Sequence, residues 1–235
     1  MSTAIPPRGP ARFAVPPLEN GDHLTRDEFE RRSNAMPNLS KAELLEGIVY
    51  MPAATRASYH SRPHQMIAAL LAVYDANTPG TISFDAASVR LDLDNMPQPD
   101  QVLLLLPECG GQSKVSEDDY LENAPELVWE ISASTASYDL NVKLPIYRRS
   151  GVKEYVVWRV LDEAIDWFVL RRTEYVKQTL GTDGLLKSAV FPGLWVNPEE
   201  LVKQSMHLML KTLDRGLASA EHQEFVKKLN YQPKR

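Results

Sequence analysis

The chain has 235 residues, 43% of them hydrophobic and 24% charged, with a formal net charge of −5, which suits one globular domain plus some extra structure. That balance supplies a core and excludes wholesale disorder, and it lacks the basic surplus that drives broad nucleic-acid affinity, so any polyanion site must be local. Cys109 is the single cysteine, which rules out an internal disulfide and a thiolate zinc cluster. No run approaches the ~18 apolar residues of a membrane span, and the N-terminus lacks a signal-peptide pattern, so a cytoplasmic protein with no membrane attachment is expected.

Residues 1–20 read as a flexible lead, because Pro6, Pro7, Pro10, Pro16 and Pro17 lack backbone donors and resist regular pairing. Residues 21–197 form the expected domain, and 198–235 a helical C-terminal extension. Order is expected from Thr25-Arg-Asp-Glu28, a capping-box pattern opening a short helix through Phe29. Glu43 to Met51 reads as a strand or tight hairpin around Gly47. In His64 to Tyr74, Ile67, Leu70, Leu71 and Tyr74 fall at helical spacing, and Pro79-Gly80 ends that helix.

Strand signals follow. Val89, Leu91 and Leu93 alternate with polar residues, the period of a half-buried strand, and Asp94-Asn95 make a turn. Gln101 to Leu106 is a continuous apolar run of the kind a central, doubly covered strand carries. Residues 107–125 read as a long polar loop. Leu127 to Ile131 is a short buried strand with one glutamate, and a helix is expected from about Ser137 to Arg149, with Gly151 past its end and Pro145 kinking it or delaying its start. Glu154–Val160 and Ala164–Leu170 predict a hairpin, and further strands are expected at Tyr175–Leu180 and Leu185–Val190. The order implies an α/β domain with a mixed central sheet.

Two acids stand out by their surroundings. Asp100 opens the Leu-rich strand after Pro99, and Glu130 ends the Val128-Trp-Glu130 strand. A carboxylate at the end of a buried strand costs several kcal/mol unless partnered. If the strands are neighbours the two acids converge, one pKa rises, and a hard divalent cation resolves the repulsion. The plain alternative is that each acid pairs with a nearby arginine or caps a turn. Asp139, Lys143 and Tyr147 lie four apart on one helix face, which makes either a surface ion pair worth ~0.3–0.5 kcal/mol or a lysine aimed at the acids.

The ordered series Pro99-Asp100, Glu130-Ile-Ser132, Asp139 and Lys143 resembles the PD-(D/E)XK nuclease superfamily. Its closer likeness is to the bacterial Uma-type branch of restriction endonuclease-like proteins, through Glu43-Leu-Leu-Glu-Gly47, His64 heading an apolar helix, Gln98-Pro-Asp100, Pro125 to Ser132, Gly151-Val-Lys-Glu-Tyr155 and Phe191-Pro-Gly193-Leu194. The resemblance spans roughly residues 25 to 201. It implies a restriction endonuclease-like mixed central β-sheet flanked by helices, with additional antiparallel strands. It also implies Mg²⁺ or Mn²⁺ held by Asp100, Glu130 and the Ile131 carbonyl, with Lys143 assisting phosphodiester hydrolysis, and DNA as the substrate. The lysine that the superfamily carries two residues after its acid is Ser132 here, and Lys143 on the helix matches the branch's replacement. Glu43 and His64 are accessory candidates. The alternatives are an edge-strand surface charge for Glu43 and a solvated or capping group for His64, with His60 close by. Glu46 ranks below Glu43 because alternation turns it to the opposite face. Ser132 can cap the turn after the strand, Trp158 and Trp167 fit hairpin packing, and Cys109 has no motif around it. Two copies would suit cleavage of both strands of a duplex, so a homodimer fits this reading. The competing reading is a catalytically inactive nuclease-fold binding or regulatory protein.

Overall fold

The computed structural model describes residues 15–51 and 57–231, so most of the expected lead and the last four residues of the expected extension lie outside the described residues. A helix α1 (Arg26–Ser33) forms where the capping pattern predicts, but Thr25 makes no side-chain capping bond. Its Phe29 is buried with Leu18, Leu44, Val49 and Met96 in a small satellite core. Strands β1 (Glu43–Leu45) and β2 (Ile48–Tyr50) form an antiparallel hairpin. Its turn residues Glu46 and Gly47 both have positive φ, 52° and 72°, a two-residue geometry that accepts glycine readily.

A π-helical turn at Ala57–Ser61 leads into helix α2 (Arg62–Ala76). Met66, Ile67, Leu70, Leu71 and Tyr74 line its buried face. The central sheet then assembles from β3 (Thr81–Asp85), β5 (Gln101–Leu105), β8 (Leu127–Ser132), β9 (Glu154–Arg159), β10 (Ala164–Arg171) and β11 (Glu174–Lys177). Their spatial order is β11-β10-β9-β8-β5-β3. Only β8 and β9 run parallel; the other neighbours are antiparallel, so the sheet is mixed. Every residue of β5 and of β8 is buried, as the apolar runs require of strands covered on both faces.

Two clusters follow the pleat. Leu103, Leu105, Leu127, Trp129, Ile131, Val156, Trp158 and Trp167 face α2 and the C-terminal helices, where Leu201, Met209 and Leu213 complete the core. Trp158 and Trp167 are thus packing residues, and Trp167 meets Trp129 edge to face. Val102, Leu104, Val128, Tyr155 and Val157 face the opposite way and pack with Tyr147.

The segment 89–125 departs from expectation. The alternation of Val89, Leu91 and Leu93 yields only β4 (Val89–Arg90), and Leu93 is exposed. The expected loop contains β6 (Lys114–Val115) and β7 (Leu121–Glu122), which join β4 in a three-stranded sheet. Arg90 clamps it, reaching Glu30 and Asp118 with its guanidinium over Tyr120. Towards the C-terminus, Leu185–Val190 contributes only β12 (Leu186–Lys187), which pairs with β13 (Trp195–Val196). The chain ends in α5 (Pro198–Val202), α6 (Met206–Leu217) and α7 (Ala220–Leu229). No helix among the described residues is long and apolar enough to cross a membrane.

Candidate active site

The register of the central sheet sets the site. Gln101 pairs with Trp129 across β5 and β8, so one step further Asp100 stands opposite Glu130. Alternation turns both away from the α2 side, onto the face that holds Val102, Val128 and Tyr147. Over this face runs the connection from β8 to β9: α3 (Ala136–Tyr138), a π-helical turn at Asp139–Lys143, and α4 (Leu144–Ser150). Pro145 explains the break. It has no N–H to offer the carbonyl of Asn141 four residues back, and the wider turn just before it absorbs that mismatch.

The helical connection brings Asp139, Lys143 and Tyr147 to the end of the sheet. Lys143 Nζ lies 2.9 Å from Glu130 Oε1, 2.9 Å from Glu43 Oε1 and 3.7 Å from Asp139 Oδ1. Tyr147 donates its hydroxyl to the same Glu130 oxygen at 3.1 Å. Ser132 and Thr135 donate to Asp139 Oδ2 at 2.5 and 2.8 Å, so the Ser132 side chain points into the site network. Glu43 is 4% exposed rather than an edge-strand surface charge, and its Oε1 also accepts from the Gln98 amide at 2.9 Å. Glu46, across the hairpin turn, pairs with Arg149 outside this cluster.

Asp100 is held separately. Its Oδ2 accepts from the Ile131 amide at 2.8 Å, and its Oδ1 lies 3.3 Å from Lys41 Nζ. His60 Nε2 stands 3.6 Å from Asp100 Oδ2. His64 stands further out, with Nε2 3.1 Å from Asp85 Oδ1 and its ring stacked on His60 at 5.7 Å. Gln101 donates to the same Asp85 oxygen at 2.9 Å.

Burial dominates the electrostatics. It pushes the Glu130 carboxyl up to about 8, with Lys143 pulling it down and Asp100, Asp139 and Glu43 adding repulsion. Burial likewise raises Asp139, against the pull of Lys143 and of its two hydroxyl donors. Asp100 goes the other way: burial would raise it, but Lys41, His60, the Ile131 amide and Lys143 together hold it below the usual carboxylate range. For Lys143 the burial penalty is outweighed by Glu130, Glu43 and Asp139, which keep it firmly protonated.

Among the described residues no three His, Cys, Asp or Glu side chains converge closely enough to enclose a metal ion. The reason is visible: the Lys143 ammonium stands between Glu43 and Glu130, and Lys41 stands before Asp100. The donor chemistry nevertheless fits a hard cation, because the set offers carboxylate oxygens. The charges fit too. Glu43, Asp100, Glu130 and Asp139 are each 5% exposed or less, and among the described residues they face only the ammonium groups of Lys41 and Lys143 at salt-bridge distance, with His60 beside them. Fully ionised, the four acids exceed the two ammonium groups by two negative charges.

Asp100, Glu130, Lys143 and Glu43 thus meet at one end of the sheet, while His64 stands behind His60. Sequence reasoning missed Lys41, and passed over His60 and Asp85. Lys41 lies two residues before Glu43 in extended chain, on the same face, which is the signal that could have found it. His60 and His64 are four apart, a spacing that brings rings together in helical backbone.

A mixed sheet with helices on both sides, acids at the ends of two adjacent strands and a lysine returning on the next helix define a restriction endonuclease-like protein. A family model described as Uma2, putative restriction endonuclease, matches residues 26–199, and the chain belongs to that family. The crystal structure of a putative nuclease belonging to DUF820 from Anabaena variabilis shares the fold, with a TM-score of 0.57 over 77% of this chain and 98% of that one, at 13% identity. Comparison with curated proteins finds no match.

Proposed function

We propose that the protein is a Mg²⁺- or Mn²⁺-dependent endonuclease that hydrolyses phosphodiester bonds in DNA, working in the cytoplasm and, for duplex cleavage, as a homodimer. The observation that carries this reading is the charge balance at the sheet end, where, among the described residues, four buried carboxyl groups face two ammonium groups. One divalent cation would supply the charge that lets all four acids ionise together.

In this reading Asp100, Glu130 and the Ile131 carbonyl hold the cation, with Glu43 alongside. When bound, the cation would polarise a phosphoryl oxygen and acidify water at the site. Lys143 holds its proton and stabilises the negative charge that builds on the phosphate. Asp139, fixed by Ser132 and Thr135, positions Lys143, while Tyr147 fixes the Glu130 carboxylate.

A second reading, a nuclease-fold binding protein without catalysis, draws on the fact that Glu130 and Glu43 are already paired by Lys143. The two part on one experiment: supercoiled and linear DNA incubated with Mg²⁺ or Mn²⁺, using wild type, Asp100→Ala and Lys143→Ala, with metal binding followed by calorimetry. Metal-dependent cutting that disappears in both variants supports the nuclease. Neither cutting nor metal binding by the wild type would overturn it in favour of the binding protein.

A further inference from the structure

The acids of the site are buried, but the groups in front of Asp100 are not. The Asp100 side chain is 6% exposed, whereas those of Lys41 and His60 are 25% and 22% exposed. Lys41 Nζ and His60 Nε2 stand 3.3 and 3.6 Å from the two carboxylate oxygens, one on each side. Among the described residues they are the charged or ionisable groups next to Asp100 that solvent reaches.

Lys41 differs from Lys143 in what would happen to it in a loaded site. Lys143 is tied by Glu130, Glu43 and Asp139, and keeps carboxylate partners if one of them is taken. Asp100 is the only carboxylate within salt-bridge distance of Lys41 among the described residues. Glu43 and Glu130 act on it from further away, and Lys143 repels it. A cation at Asp100 would remove its partner and add repulsion. The flexible, strongly hydrated ammonium then needs an anion on the solvent side. A backbone phosphate placed for cleavage is such an anion, and the neighbouring imidazole can donate a hydrogen bond to a second phosphate oxygen.

Building on the nuclease reading, the geometry points to Lys41, with His60 beside it, as the contact that seats the phosphate of a polynucleotide backbone at the mouth of the site. Lys41 exchanges Asp100 for the phosphate as the site fills. His60 serves as a neutral donor, so the assignment does not depend on its protonation. Lys143 remains with the acids beneath.

The test measures binding of a fluorescent DNA oligonucleotide by anisotropy across a salt series, with Ca²⁺ in place of Mg²⁺ so that binding is read apart from cutting. Wild type, Lys41→Gln, Lys41→Arg and His60→Gln are compared, with thermal melts to show that each is folded. Lys41→Gln is expected to weaken binding about tenfold and to lower the slope of log affinity against log salt by about one, the loss of one phosphate contact. Lys41→Arg should restore both, and His60→Gln should weaken binding by about two- to fivefold with the slope unchanged, as the loss of a neutral contact does. Mn²⁺ binding by calorimetry should be unchanged or tighter in Lys41→Gln, because a competitor for Asp100 has gone. A Lys41→Gln protein with wild-type affinity and slope overturns the inference, as does one that loses Mn²⁺ binding while holding DNA normally, which would make Lys41 a support for the acids. Wild type that binds the oligonucleotide but never cuts it in Mg²⁺ or Mn²⁺ overturns the nuclease reading alone. Wild type that does not bind it at all overturns both.

Discussion

Replacing Lys143 with methionine removes the charge that three buried carboxylates share while keeping much of the side chain's length. The ammonium is 2.9 Å from both Glu130 and Glu43 and 3.7 Å from Asp139. Breaking a buried ion pair from one side costs roughly 3–5 kcal/mol, because it leaves the other charge uncompensated. Protonation limits the loss: burial already pushes Glu130 up to about 8, and Lys143 is the largest influence pulling it down. Without Lys143 that carboxyl rises further and stays neutral at pH 7, so the low end of that range, about 3 kcal/mol, is expected there. At higher pH the variant should fall further behind, by up to about 1.4 kcal/mol per pH unit, since the proton it needs becomes scarcer. The assay is urea unfolding of wild type, Lys143→Met, Glu130→Gln and the double variant, read at constant m-value. The double variant should lose clearly less than the sum of the single losses, because the second change removes a charge that the first left stranded. An unchanged midpoint in Lys143→Met, or strict additivity, would refute the account of how the site is held together.

Three further outcomes are expected. Asp100→Asn should lower cleavage by more than the roughly 100-fold that loss of an outer partner costs, with metal affinity falling in parallel in calorimetry. Glu154 is fully buried and accepts from Ser188 Oγ at 2.6 Å and the Ala189 amide at 2.7 Å; burial raises it from 4.5 to about 7 against those bonds. Because the folded protein holds this proton more tightly, its stability contribution is complete below about pH 4.5 and is lost as pH rises through about 7. Relative to wild type, Glu154→Gln should therefore gain on the order of 3 kcal/mol between acid and pH 8 in paired urea titrations, and a pH-independent difference would contradict this. Gly216→Ala would set a methyl group 2.0 Å from the Gly193 carbonyl oxygen, and the forced separation of α6 from that loop should cost about 1–3 kcal/mol, seen as a lower melting temperature.

The central sheet was legible because its strands carry unambiguous patterns. Val102 to Leu105 and Leu127 to Trp129 are unbroken apolar runs, the pattern of strands covered on both faces, and β5 and β8 are buried from end to end. The alternation at Val89, Leu91 and Leu93 misled because polar alternation is also what a short ribbon ending in an exposed turn looks like. The Asn95 amide reaching back to Asp92 ends that strand after two residues. Asp100 and Glu130 were legible from their places at strand ends, and their convergence follows from one register. Lys41 was not, because a lysine in an extended segment carries no local mark of the carboxylate 59 residues away that it meets. The burial of Glu43 was equally hidden: it depends on the hairpin docking through Leu44 onto Met96, a long-range contact that no local period reports.

The position of the lysine turns on the chain's own geometry. Ser132 stands two residues after Glu130 on the same strand and so shares its face, but its side chain reaches only as far as Asp139, at 2.5 Å. A charge from this strand position would need a long side chain. The following helical connection supplies the charge instead, through a residue thirteen positions beyond Glu130. That solution links the ammonium to the conformation of the connection. Asp139, the first residue of the π-helical turn, is fixed by Ser132 and Thr135, while Lys143, the last, reaches Glu130 and Glu43. One turn later Tyr147 meets the same Glu130 oxygen. A lysine on the strand would be carried by the sheet alone; here the wide turn and Pro145 behind it determine where the charge sits. Pro145 thus bears on the candidate site through the backbone, because a regular α-helix through this segment would rotate Asp139 relative to Tyr147 and pull the Ser132–Asp139 and Tyr147–Glu130 bonds out of register with each other.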